Sequence, residues 1–353
     1  MPTPLVTALI DTYNHERFIE QAILSVLEQD VPETEMEVIV VDDGSTDNTP
    51  AIVRKFAPRV RYLRKVNGGQ ASAFNVGIPE ARGEIVAFLD GDDWWAPDKL
   101  RKVLDAFERN PQVGMVGHGS TTVWADGRSQ MELLRETPKF RVDAVEGART
   151  FRLRKSFLGT RSSIRASILK RVLPVPEEIR IEADEFIFTM AAVLGEVLIL
   201  SESLMFYRIH HNNFFSVSGF KKSSLLLKQK CLAALAARLE ERLQPHLLDP
   251  VARRTITECI SVEAAQLRLS LQNGWPWETV RAELKDFAIM HPYASLPQWT
   301  FRSISLIPAL VMPSRYYYGW RHKLRQSPLY TNTRKRVVSI PIPSHVSRQW
   351  HSN

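Results

Sequence analysis

The sequence predicts an α/β protein: a doubly wound, mixed but mainly parallel sheet with helices on both faces, followed by a helical C-terminal region. Three observations carry this. Apolar, β-branched runs alternate with segments of helical periodicity over the first hundred residues, acid-rich turns follow the apolar runs, and only long helical stripes remain from Ser223 onward. Strand–helix units that return to one sheet favour parallel neighbours covered on both sides.

The elements follow in order. Leu5 to Ile10 reads as a strand, and Phe18, Ile19, Ala22, Ile23, Val26 and Leu27 recur at helical spacing after it. Glu37 to Val41 is a second strand; beyond the turn DDGSTDNT, Pro50 opens a helix through Phe56 with Thr49 as its expected N-cap. A strand at Val60 to Leu63, a helix over Gln70 to Glu80 and a strand at Ile85 to Leu89 complete the series. Pro97 starts a further helix, Val113 to Gly117 reads as a strand, and Ser120 to Arg152 is less regular. Helical periodicity returns at Glu185 to Val193, a strand follows at Glu196 to Leu200, and helices are expected over Ser223 to Leu243 and Pro250 to Leu271. We expect a catalytic domain at 1–220, with a nucleotide-binding half at 1–118 and an acceptor half at 119–220, a helical region at 221–290 and a basic aromatic tail at 291–353.

Composition narrows the class. The chain has 353 residues, 44% hydrophobic and 24% charged, which excludes collagen-like and disordered chains. Two distant cysteines, Cys231 and Cys259, exclude a disulfide scaffold and favour a reducing, cytoplasmic setting. The N-terminal stretch lacks the basic region of a signal peptide, and the apolar run Ile304 to Met312 falls short of the roughly 18 residues a spanning helix needs. The net charge of +7 is unevenly spread: Met1 to Asp286 carries 37 Lys and Arg against 39 Asp and Glu, while Phe287 to Asn353 carries nine cations and no acid.

Open parallel sheets present functional groups at the carboxyl ends of their strands. Three predicted strand ends run into Asp11-Thr12-Tyr13-Asn14, Asp42-Asp43-Gly44-Ser45 and Asp90-Gly91-Asp92-Asp93. Each alone is equally the signature of a turn and a helix cap, and Asp93 reads as such a turn residue. Together they crowd carboxylates at one edge, which is unfavourable without a cation. Asp90 and Asp92, separated by Gly91, can face one hard divalent ion, Mg²⁺ or Mn²⁺, whose shell is ordinarily completed by water and phosphate oxygens. The small-residue stretch Asn67 to Gly77 would let a helix start approach a nucleotide closely.

On these motifs, and on ADEFIFTMAAVLGEVLILSESLMFYRIHHNN further along, the first 215 or so residues resemble the family 2 glycosyltransferases with the GT-A fold. The resemblance implies an enzyme that moves a sugar from a nucleoside diphosphate sugar, a UDP-sugar first, to a saccharide or lipid-linked saccharide hydroxyl, with inversion and in surface polysaccharide or glycolipid synthesis. Thr12, Tyr13, Asn14, Asp42 and Asp43 would line the nucleoside pocket, with Tyr13 stacking on the base and Asp42 accepting its N–H. Asn67, Gly69 and Asn75 would lie along the nucleotide or sugar. Asp90, Gly91 and Asp92 match the family's DxD motif, and His210 of Tyr207-Arg208-Ile209-His210 would join Asp90 and Asp92 at the metal. Asp184, then Glu185, would be the base, although the same acids would also complement a helix dipole. Phe74 departs from the family's arginine, leaving a basic contact to Lys65, Arg82 or the tail. The rivals are a catalytically silent nucleotide-sugar-binding protein and a nucleotidyltransferase, which would need a lysine-bearing glycine-rich loop after the first strand.

Between Pro292 and Arg325 aromatic and aliphatic residues alternate with Arg302, Arg315, Arg321, Lys323 and Arg325. This composition suits a membrane interface, and equally a tail packed on the protein. No nucleic-acid-binding motif accompanies the charge.

Overall fold

The computed structural model describes residues 4–210, 222–243, 248–272, 274–290 and 296–325. These fall into two compact units, one within Met1–Val142 and Arg154–Asn213, the other within Asp143–Leu153 and Phe214–Val337. His211, Asn212, Asn213, the boundary expected near Phe220 and the tail from residue 326 lie outside the described residues.

The first unit holds a sheet of β1 (Val6–Thr12), β2 (Met36–Asp42), β3 (Val60–Arg64), β4 (Ile85–Asp90), β5 (Trp94–Trp95), β6 (Val113–Trp124), β7 (Ser129–Glu132), β8 (Lys139–Phe140), β9 (Ser163–Arg165) and β10 (Glu196–Ile209). The helices in chain order are α1 (Ile19–Leu27), α2 (Thr49–Arg54), α3 (Gln70–Glu80), α4 (Lys99–Arg109), α5 (Val145–Arg154), α6 (Ala166–Val172), α7 (Ala183–Leu194), α8 (Lys222–Arg242), α9 (Pro250–Leu271), α10 (Pro276–Met290), α11 (Leu296–Ala309) and α12 (Ser314–Arg325). Strand order is β3-β2-β1-β4-β9-β6-β10-β5, with β7 on β6 and β8 on β10. The β3-β2-β1-β4 half and the β6–β10 pair are parallel; β9 runs antiparallel between β4 and β6 and joins the two. The expected mixed, mainly parallel sheet is present.

The central strands read as unbroken apolar runs because both faces are covered: Ala8, Leu9, Ile10, Ile39 and Val40 are fully buried. α1 buries Ile19, Ala22, Ile23 and Val26, one helical stripe, against this sheet. Each fully buried Ile contributes about 1.5–3 kcal/mol. Gln29, just past α1, donates to the Ala96 carbonyl and accepts from the Leu100 N–H, tying the α1 end to the start of α4.

Three local expectations change. Thr49 is not the cap of α2 but its first residue; it is buried, and its hydroxyl accepts the His15 N–H while Asp47 accepts the Thr49 N–H. The α4 helix begins at Lys99 rather than Pro97. The strands expected at Val113 to Gly117 and Glu196 to Leu200 continue to Trp124 and Ile209. Polar and glycine residues end the apolar runs in the sequence, yet a Cβ at Gly119 would overlap the Glu132 carbonyl, so glycine there lets β7 pair, and β10 shifts register between Leu200 and Phe206 to carry Ser-Glu-Ser along.

Candidate active site

Sheet register lines up the strand ends. Thr12 stands opposite Asp42, Asp42 opposite Arg64, and Asp11 opposite Asp90. The turn after β4 brings Asp92 and Asp93 back to the same place: Asp90, Asp92 and Asp93 each present a carboxylate oxygen, all within 4.8 Å of one another. β10 reaches this turn through its antiparallel pairing of Phe206 with Trp94, so that the Arg208 N–H donates to Asp93 Oδ1 at 2.8 Å and Arg208 Nε to the Asp92 carbonyl at 2.9 Å. The Arg208 guanidinium also lies over the Phe18 and Trp94 rings. The Arg208 guanidinium also donates to Gln21 Oε1.

The electrostatics of the cluster are unbalanced. Burial, then the charges of Asp11 and Asp92, pushes the Asp90 carboxyl well above the usual carboxylate range. Asp93 is raised likewise, by burial and then by Asp92 and Asp90. Asp11 is raised to about 7, by burial and then Asp184. Asp92 alone goes the other way: burial opposes its charge, but His15 and His210 outweigh that and hold it low. Its Oδ2 lies 3.0 Å from His210 Nε2 and 3.9 Å from His15 Nε2. Asp11 Oδ1 and Asp93 Oδ2 are buried without a hydrogen-bond partner. Hard oxygen donors crowded together, with a buried oxygen on Asp93 and on Asp11 that lacks a hydrogen-bond partner, fit a divalent cation of the Mg²⁺ or Mn²⁺ kind.

Outer contacts aim these groups. Thr160 donates to Asp90 Oδ2 at 2.9 Å. Gln70 approaches Asp90 Oδ1 with its amide nitrogen and accepts the Ala183 N–H with its oxygen, so one side chain links β4, the start of α3 and the start of α7. Asp184, in the first turn of α7, is raised to about 8 by burial first, then by Asp90, Glu185 and Glu182. A Cβ on Gly159, whose φ is +77°, would stand 2.8 Å from Asp184 Oδ2, so the chain passes close to this carboxyl. Glu185 is instead paired with Lys155 at 2.5 Å. The structure thereby separates the two acids: Asp184 belongs electrostatically to the cluster, and Glu185 is held in an ion pair.

The residues expected to hold a nucleoside form a second, well-braced group. Asp42 is fully buried; its carboxylate accepts the Ser45 N–H and the Tyr62 hydroxyl. Asp43 accepts from Lys65 Nζ and from the Gly68 and Gly69 N–H groups, which pins the glycine loop to β2. Asn14, at φ +57°, donates its N–H to Ser45 and accepts the Thr46 N–H. Gly69 sits at φ +90°, and a Cβ there would press into the Arg180 backbone. Asn67 accepts from Arg180, and the Asn75 carboxamide is engaged at both ends by the Val175 backbone. Tyr13, next to them in the chain, is 41% exposed. The Thr12 hydroxyl is 3.2 Å from His15 Nδ1, and Gly91 leaves the room in which these two meet.

Phe74 is buried edge-on against Phe88 and is core. Among the basic substitutes expected for it, Lys65 reaches the glycine loop through Asp43, whereas Arg82 pairs with Glu37. Sequence reasoning passed over His15, Gln70, Thr160, Arg180 and Asp93. Asp93 is no simple turn residue but a buried member of the acid cluster. Its signal was present as the third acid of DGDD; the other four carry no local signal, because only tertiary contact brings them to the acids.

Residues 7–171 match the family model described as glycosyl transferase family 2. The chain is 34% identical over 221 residues to an uncharacterized glycosyltransferase of Nostoc sp., covering 61% of this chain and 68% of that one. Two solved structures share the architecture: S. aureus TarS with UDP, at 20% identity, 90% and 91% coverage and a TM-score of 0.54, and the mannosyltransferase PcManGT from Pyrobaculum calidifontis with GDP-Man and Mn²⁺, at 21% identity, 95% and 89% coverage and a TM-score of 0.52. At these identities the two structures establish the fold alone. Taken with the Nostoc relative, the acid-lined sheet edge and the matched family model identify the chain as a member of glycosyl transferase family 2.

Proposed function

We propose that this protein is a metal-dependent, inverting transferase that takes its sugar from a nucleoside diphosphate sugar. The observation that carries the reading is the Asp90, Asp92 and Asp93 cluster, three close carboxylates with unpartnered buried oxygens on Asp93 and the adjacent Asp11. Asp90 and Asp92 would hold the cation, with Asp93 and His210 beside them, and when bound the cation supplies Lewis-acid stabilisation of the departing diphosphate. Tyr13 offers its exposed ring to the base, and Asp42, Asp43, Asn67, Gly69 and Asn75 hold the loops that wall the nucleoside site. The relatives solved with UDP, UDP-GlcNAc and GDP-Man support a nucleotide-sugar donor, and a uridine donor is our first expectation.

Asp184 takes the acceptor proton. The new bond forms between the acceptor oxygen and the anomeric carbon as the bond to diphosphate breaks on the opposite side. The cluster couples this base to the donor site. After burial, Asp90 is the leading influence that raises the Asp184 carboxyl, so the base and the donor-site acids are electrostatically coupled. Residues 1–118 serve the nucleotide and 119–220 the acceptor, a saccharide or lipid-linked saccharide met at the cytoplasmic face of a membrane.

A panel of nucleotide sugars scored by thermal shift with Mn²⁺ or Mg²⁺ tests the donor site: a donor should stabilise the wild type and not Asp92→Ala, and no shift with any donor overturns the reading. Asp184→Asn should keep the donor shift and lower kcat for transfer about 10²–10⁴-fold. Donor binding with no turnover in either protein would instead indicate a catalytically silent binding protein.

A further inference from the structure

The second unit presents an apolar surface that its own packing leaves in solvent. α11 is amphipathic in the reverse sense: Ser305 and Ala309 are buried, while Ile304 and Ile307 are exposed, and Leu310 and Val311 continue the exposed row past the helix end. Ile307 is 65% and Val311 76% exposed, values foreign to an aliphatic stripe that packs on its own domain. α12 turns Tyr317 and Arg321 inward, where Arg321 pairs with Glu283, and leaves Arg315 and Tyr316 outward. The turn between the two helices is clamped to the start of α10: the Ser314 N–H donates to the Gly274 carbonyl, and the Ser314 and Thr279 hydroxyls are 2.6 Å apart. Trp275 and Trp277, at the start of α10, are exposed as well.

We infer that this end of the unit docks on an anionic lipid bilayer, with Ile307, Leu310 and Val311 at the headgroup–acyl boundary and Arg315 against lipid phosphate. A row of exposed aliphatic side chains followed by an exposed arginine is the chemistry of interfacial binding. Charge argues for the same occupant: from Phe287 onward the chain carries nine cations and no acid. Among the described residues no helix is long and apolar enough to cross a membrane, and the contact inferred is a surface one. The inference deepens the membrane reading of the proposed function and is independent of donor chemistry.

The test is flotation of the full chain with vesicles of phosphatidylcholine alone and of phosphatidylcholine with phosphatidylglycerol. The protein should float with the anionic vesicles and much less with the neutral ones. The pair Ile307→Glu and Val311→Glu should weaken anionic-vesicle binding by roughly a hundredfold, with a wild-type circular dichroism melt, and Arg315→Glu should weaken it without touching the apolar row. Ile307→Leu with Val311→Leu should bind as wild type. Absence of flotation overturns the inference, as does flotation indifferent to the glutamate pair, or a concentration-dependent dimer that the pair dissolves without any vesicle binding. Failure of the donor panel alongside successful flotation would sink the transferase reading and leave this one standing.

Discussion

Both units bury acids, and they treat them oppositely. In the second unit Glu283 and Asp286 are buried beside Arg321, which pairs with both, and Arg152 approaches Asp286 at 3.9 Å. Burial works against the Arg321 charge, but Glu283 and its neighbours outweigh it and raise the guanidinium further. In the first unit Asp11, Asp90, Asp93 and Asp184 crowd together with their carboxyls all raised, and the Arg208 charge offsets that of Asp93 only in part. The contrast separates structure from function. In the second unit the acids are an internal tie, and in the first the raised carboxyls are the set proposed to take a cation from outside.

Substitutions at the two clusters should therefore have opposite signatures. Asp90→Asn should abolish most transfer, about 10²–10³-fold in initial rate, while leaving the metal-free protein at least as resistant to urea, because it removes one member of a repulsive set. Arg321→Met should do the reverse: it removes the cation shared by two buried carboxylates and should cost about 3–5 kcal/mol in chemical denaturation, with transfer per folded molecule retained. Equal loss of stability in both variants would break the distinction.

Titration sharpens it further. Asp184 holds its proton in the folded protein up to about 8 but has an ordinary value of 3.8, so between these limits the native state binds a proton that the unfolded chain has released. Stability of the metal-free protein should accordingly fall as pH rises through that window, and Asp184→Asn should flatten the slope in urea titrations at several pH values. A slope unchanged by the substitution would place the titration elsewhere. The smallest effect is expected at Thr160→Val, which removes one hydrogen bond from Asp90 and should weaken Mn²⁺ affinity by about 10–100-fold, read by calorimetry with the fold intact.

How much of this was legible depended on the range of the interaction. Strand and helix periods are local, so α3 and α9 lie where the pattern places them, at Gln70–Glu80 and Pro250–Leu271. The acids of the three strand ends were legible too, since a parallel sheet must gather them. His15 and Thr160 were not: one stands in a turn after β1 and the other follows a glycine between β8 and β9, and neither shares a local pattern with Asp90 or Asp92. Arg321 was read within a basic aromatic segment suited either to a membrane interface or to packing on the protein, and it is buried, because Glu283 on α10 supplies a partner that composition cannot reveal.

The order of elements, the family, the gathering of acids at one sheet edge and the separation of basic charge into the last 67 residues followed from the sequence by itself, because each is set by local pattern or by counting. Tertiary structure alone decided which acids go uncompensated, that Asp184 rather than Glu185 belongs to them, and which apolar side chains α11 leaves facing water. Those outcomes rest on distances and burial between residues far apart in the chain, and on the low dielectric that makes a missing counter-charge matter.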